Sequence, residues 1–137
     1  MTLPEAVAVV VRRADGRRLM VKRAPGRPAP GYWTPVTGRI EAGESSDDAG
    51  AREVLEEVGL RVVVGPRVHE GLTAGGGFRL LWHEATVADP VPALVLASDE
   101  VAEARWLTLP EILALSPMFA ETRSYFERAL ASEVGPR

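Results

Sequence analysis

Cysteine is absent from all 137 residues. That excludes disulfides, thiolate zinc sites and thiol nucleophiles together. A chain without disulfides suits a reducing cytoplasm, the location expected here. No apolar run approaches the length of a membrane span, so no membrane segment is expected. Met1-Thr2-Leu3-Pro4-Glu5 places no basic stretch ahead of an apolar one, so no signal peptide is expected either. Charge of one sign is not in excess: 16 Lys and Arg face 19 Asp and Glu, a net charge of -3. Sequence-independent nucleic-acid binders are usually strongly basic, so no stable nucleic-acid partner is expected. There is no internal repeat. What remains is a chain that is 46% hydrophobic, enough to bury a core, and of a length that suits a single domain over residues 1–137.

Val7, Val9, Val10 and Val11 form a β-branched run, which predicts a buried strand over residues 6–13. Asp15-Gly16 signals a turn, and residues 18–23 resume as a second strand of a hairpin. Arg12, Arg13, Arg17 and Arg18 at its tip read as a solvated turn. Residues 25–31, rich in proline and glycine, read as a rigid polar loop. Residues 32–40 look extended, with Trp33, Val36 and Ile40 as apolar anchors. A helix then begins, capped by Ser45 or Ser46, with Asp47 and Asp48 at its electropositive end. Gly59 suits its C-terminal stop. Residues 61–68 and 78–87 read as strands joined by a flexible glycine-rich segment at 74–77. Residues 90–100 read as a loop, 104–107 as a short strand, and 109–115 and 119–130 as helices, with the last few residues frayed. This order predicts an α+β (mixed α/β) domain with a layered sheet.

On the central helix, Glu56 and Glu57 fall roughly 60° and 40° to either side of Glu53 at 100° per residue. Three carboxylates thus share one face, while Val54, Leu55 and Val58 point roughly opposite, toward the core. Like charges at these spacings repel by a few tenths of a kcal/mol per pair, about. Such a cluster is either a solvated acidic face or a site for a hard cation such as Mg²⁺ or Mn²⁺.

The wider pattern separates these readings. Gly38, Glu44, Arg52, Glu53, Val54, Glu56, Glu57, Gly59 and Leu60 resemble, at every specified position and spacing, the signature box of the Nudix hydrolase family (MutT-like). With average residue frequencies, a chance match is on the order of 10⁻⁷. The resemblance implies a Nudix-like α/β/α sandwich with a mixed sheet. It implies metal ligation by Glu53, Glu56, Glu57 and the Gly38 carbonyl, with Glu44 supporting the loop and Arg52 orienting a carboxylate. The implied reaction is attack of water on a diphosphate linkage of a nucleoside diphosphate derivative, assisted by Mg²⁺ or Mn²⁺. Either Glu53 or a glutamate of a later loop takes the proton; Glu100 is the candidate there, with Asp99 and Glu103 as competitors.

Arg23 and Lys22 end the second strand, where family members often hold phosphate. Trp33, Tyr32 and Phe78 are candidates for stacking on a base, against the plainer reading as core. His69 and His83 have no partner at metal-ligand spacing and read as structural. Downstream of the box, ADP-ribose hydrolases carry a proline and some dinucleoside polyphosphate hydrolases a tyrosine; here that region reads Gly75-Gly76-Gly77-Phe78. The lead-in Trp33-Thr34-Pro35-Val36-Thr37-Gly38 resembles the branch acting on nucleoside or pterin triphosphates. The leading expectation is therefore a nucleoside triphosphate pyrophosphohydrolase acting on a small nucleotide, with a homodimer as the common assembly among similar proteins. A non-catalytic Nudix-fold binding module would commonly lose box carboxylates, and diphosphate isomerases of related fold use a cysteine.

Overall fold

The computed structural model describes residues 2–133. The expected fraying of the C-terminus falls largely on residues 134–137, outside the described residues. The strands are β1 (Glu5–Arg12), β2 (Arg18–Arg23), β3 (Trp33–Thr34), β4 (Val36–Arg39), β5 (Val62–Leu72), β6 (Arg79–Val87) and β7 (Val101–Leu107). The helices are α1 (Ser46–Val58), α2 (Leu109–Leu113) and α3 (Ala120–Glu133). No described helix is long and apolar enough to cross a membrane.

β1 is the centre of a mixed sheet. It pairs antiparallel with β2 and β4 and parallel with β6, and β5 lies beyond β6. β7 pairs with β2 on the other side. The valine run of β1 is explained by burial on both faces. Val7, Val9 and Val11 pack with Ala49, Val54 and Val58 of α1. Ala6, Ala8 and Val10 pack with Leu80, Trp82 and the helical residues Ile112, Tyr125 and Phe126. The sheet is thus sandwiched between α1 and the α2–α3 pair, the layering the resemblance implies.

Four differences from the sequence reading have physical causes. The extended stretch 32–40 is two strands, because Pro35 lacks an N–H and the chain changes partner there, from β2 to β1. β7 begins at Val101, three residues earlier than expected, because Val101 and Glu103 pair with Arg23 and Lys22; pairing overrides the weak strand propensity of Glu and Ala. β5 continues to Leu72 through two register shifts against β6. Arg18 is not part of a solvated turn. It is 4% exposed, and its guanidinium donates to the Gly16 carbonyl at 3.2 Å and to Glu133 at 3.1 Å.

α1 also corrects the phase of its buried face. Ser45 is the cap, its hydroxyl accepting from the Asp48 N–H, and Gly59 closes the helix at φ 74°. The buried positions are Ala49, Gly50, Glu53, Val54, Glu57 and Val58. On the helical wheel they span roughly -40° to +140° about Glu53. Glu53 and Glu57 therefore lie within the packed face. Leu55, expected in the core, is 39% exposed. Ser46 ties α1 to the sheet through His83: Nδ1 donates to the Gly65 carbonyl at 2.8 Å, which leaves Nε2 to accept from the Ser46 hydroxyl at 2.8 Å. His83 is structural, as expected.

Candidate active site

The loop 90–100 is fastened to the end of α1. Val95 and Ala97 donate their N–H groups to the carbonyls of Val58 and Glu57, and Ala24 donates to the Glu100 carbonyl. These bonds satisfy helix-terminal carbonyls and deliver Glu100 to the side of α1. Carboxylate oxygens of Glu53, Glu57 and Glu100 consequently lie within 4.8 Å of one another. Asp99 is exposed, and Glu103 sits in β7 in contact with Arg105.

Glu57 is fully buried, and neither of its oxygens has a hydrogen-bond partner. A guanidinium nitrogen of Arg27 lies 3.6 Å away. Burial pushes the Glu57 carboxyl up to about 9; Arg27 opposes this, and Glu53 and Glu100 add to it. Burial raises Glu53 as well, with its contact to Glu57 and then Arg52 opposing. Two orphaned carboxylate oxygens in the protein interior would be costly without a compensating charge. The donor set is all oxygen, and it fits a hard divalent cation.

Arg52 organises the rim. It grips Glu44 bidentately at 2.8 and 2.9 Å, donates to Glu53 at 2.9 Å and Glu56 at 3.3 Å, and reaches the Arg39 carbonyl at 3.0 Å. The Glu56 side chain is 56% exposed and stands outside the three-carboxylate group. Arg52 also holds the Glu44 carboxyl down at about 2. A folded-state pKa below the unfolded value of about 4.3 stabilises the fold fully above that value, and the contribution fades as pH falls toward 2. Glu44→Gln is therefore expected to be less stable than wild type at neutral pH, with the gap closing between roughly pH 4.5 and 2. Acid titrations followed by circular dichroism check this; a gap that does not narrow would contradict it.

Gly38 carries no left-handed φ, so backbone freedom is not what its position requires. Its requirement is space: a Cβ there would overlap the Glu53 carboxyl. Gly38 also lines a cavity of about 510 Å³ between the sheet and the start of α3. Arg23 and Arg27 line it too. Burial lowers the pKa of Arg23, whose guanidinium donates to the Pro28 carbonyl at 3.1 Å. Among the described residues, buried side-chain polar atoms without a partner occur on Arg23, Thr34, Trp82 and Glu57. The first three residues line the cavity and the fourth belongs to the carboxylate group.

Phe78 is on the cavity wall, whereas Lys22 and Trp33 are not. Trp33 is in the core, with the Lys22 ammonium 5.9 Å and the Arg105 guanidinium 5.0 Å from its ring centre. Tyr32 packs on Phe119 with ring centres 4.6 Å apart. Arg27 was not singled out by sequence reasoning; it sits in an irregular Pro/Gly loop where no periodicity marks a side chain's direction.

The sequence pattern of the NUDIX domain matches residues 2–129. The NAD-capped RNA hydrolase NudC of Deinococcus radiodurans is 32% identical over 131 residues, which cover 93% of this chain and 45% of that protein. The dihydroneopterin triphosphate diphosphatase of Escherichia coli K12 is 43% identical over 61 residues, covering 44% of this chain and 39% of that one. The chain spans less than half the length of these curated relatives. Among solved structures, the MutT protein from Methanosarcina mazei matches with a TM-score of 0.81 and 25% identity over 96% of both chains. With the signature glutamates on α1 and the domain pattern running through nearly all of its length, the chain belongs to the Nudix hydrolase family.

Proposed function

We propose that this chain hydrolyses a nucleoside triphosphate to the monophosphate and pyrophosphate, with Mg²⁺ or Mn²⁺ held by Glu53, Glu57 and Glu100. Glu56 and the Gly38 carbonyl complete the set at the rim. The observation that supports this most strongly is the junction of the buried Glu57, which has no hydrogen-bond partner and Arg27 as its counter-charge, with a cavity bearing Arg23 and Arg27. When bound, the cation neutralises phosphate charge and lowers the pKa of the attacking water.

The protein's own groups then have separate tasks. Arg23 and Arg27 hold phosphate oxygens with planar forks and fix the chain of phosphates against the carboxylates. Arg52 keeps Glu53 in one orientation, so the geometry is set before substrate arrives. Water forms a bond to phosphorus, the bridging P–O bond breaks, and pyrophosphate leaves. Glu100 or Glu53 accepts the water's proton.

Product analysis over nucleoside triphosphates, ADP-ribose, nucleotide sugars and dinucleoside polyphosphates, with Mg²⁺ or with chelator, tests the proposal. Metal-dependent release of pyrophosphate from triphosphates is the expected result; preferential cleavage of another class would overturn the substrate assignment. Arg27→Ala is expected to lower kcat/KM for triphosphates at least about tenfold, the scale of a charged hydrogen bond. Steady-state kinetics read this directly, and unchanged kcat/KM would remove Arg27 from phosphate binding. Glu100→Gln should lower turnover more than it lowers Mn²⁺ affinity, because Glu100 takes the water's proton besides holding the cation; equal losses would leave it a ligand alone and move the base to Glu53.

A further inference from the structure

The loop between β2 and β3, residues 24–31, crosses the junction of the cavity with the carboxylate group. Its base is fixed by backbone bonds. Ala24 donates its N–H to the Glu100 carbonyl, and Gly31 donates to the Arg23 carbonyl. Its crest is less settled. Ala29, between Pro28 and Pro30, holds a φ of 53°, in the left-handed region where a Cβ meets the backbone. Such a conformation persists only while other contacts hold it.

The two arginines of this region are held differently. The Arg23 guanidinium donates to the Pro28 carbonyl at 3.1 Å and lies over the Phe119 ring at 5.4 Å. Arg27 has Glu57, at 3.6 Å, as its ion-pair partner among the described residues. That separation is longer than a hydrogen bond, so Arg27 is held by charge alone. The charge that holds it belongs to a carboxylate in the group suited to a divalent cation.

Glu57 cannot serve a cation and Arg27 equally. With a doubly charged ion at the carboxylates, the net charge facing Arg27 changes sign, and attraction becomes repulsion. Arg23 bears on the outcome too. After burial, the strongest influence on its guanidinium is Arg27 as a like charge, with Glu57 opposing. Once Glu57 is committed elsewhere, the two guanidiniums have no shared counter-charge, and phosphate oxygens supply one.

We propose that Arg27 is a positioning residue with two successive partners: it counters Glu57 in the metal-free protein, is released when a divalent cation takes that carboxylate, and then closes loop 24–31 onto phosphate. This rests on the metal and phosphate reading above. Arg23 stays in place as the fixed half of the phosphate clamp, and Arg27 is the movable half. Metal binding thereby precedes productive binding of phosphate.

Hydrogen exchange of residues 24–32, read by mass spectrometry, tests this without turnover. The reporters are the Arg27 and Gly31 amides, which donate to the Ala24 and Arg23 carbonyls. In Mg²⁺ they should exchange at least about threefold faster than in chelator, although bound ligands ordinarily slow exchange. Inorganic pyrophosphate added with Mg²⁺ should restore the slow rate. Arg27→Gln and Glu57→Gln each remove one member of the pair. Both variants, with unshifted circular dichroism spectra, should exchange fast in chelator and gain nothing further from Mg²⁺. An unchanged or slower loop in wild-type protein that calorimetry shows to bind Mg²⁺ would overturn the proposal and leave the metal site standing. Variants as slow as wild type in chelator would overturn it as well. Acceleration that pyrophosphate does not reverse would remove the second partner and with it the proposal. Absence of Mg²⁺ binding would overturn this proposal and the metal assignment together.

Discussion

Glu57→Gln is expected to lower triphosphate hydrolysis at least about 100-fold, the scale of losing a carboxylate that takes part in the reacting centre. The same substitution is expected to raise the melting temperature of the metal-free protein. Both results follow from one feature. Glu57 is fully buried, neither oxygen is hydrogen-bonded, and burial drives its carboxyl up to about 9. A group in that position is costly to the fold; Arg27 at 3.6 Å offsets part of the cost, and a bound divalent cation would offset more. With its carboxyl raised to about 9, Glu57 must take up a proton to fold at neutral pH without metal; glutamine, of nearly the same volume and never ionised, avoids that cost while losing the attraction for metal. Thermal melts in chelator and in Mg²⁺ separate the effects: wild type should gain stability from Mg²⁺ and the variant should not. A variant that melts lower than wild type in chelator would show that Glu57 is satisfied in a way the geometry does not reveal.

Gly38→Ala is expected to lower turnover about 10- to 100-fold, the range found when residues that orient metal ligands are altered. The added methyl would overlap the Glu53 carboxyl. Glu53 cannot swing away without leaving Arg52, which holds it at 2.9 Å. Gly38 belongs to β4, where it pairs with Val7 of the central strand, so the backbone is also poorly placed to yield. Little change in stability with a large fall in turnover and Mn²⁺ affinity is the expected signature. Turnover near that of wild type would mean that the site tolerates a displaced Glu53.

Much of this was legible in the sequence, and the limits have local causes. The caps of α1 and the spacing of its glutamates depend on residues within a few turns, so the box could be read directly. The phase of α1 was harder. A wheel centred on carboxylates assigns them to solvent, yet the packed face includes Glu53 and Glu57 and omits Leu55. A buried carboxylate breaks the apolar-inside rule on which the wheel depends. Glu100 could be named from its place before an apolar strand, but its meeting with Glu57 rests on backbone bonds from Ala97 and Ala24, which no local pattern encodes. Arg23, named through the resemblance at a strand end where family members often hold phosphate, lines the cavity; Arg27 and Glu121 reach it through tertiary packing alone. Trp33 was open to two readings, base platform or core, and the pairing of β3 with β2 turns it into the core.

The most direct test of the account is calorimetric titration of Mn²⁺ into wild-type protein and the Glu57→Gln variant, each confirmed as folded. The wild type should bind Mn²⁺ at least about tenfold more tightly, as expected when one charged ligand is removed from a small oxygen site. Equal affinity in the two proteins would contradict the assignment of the buried carboxylate group as the metal centre.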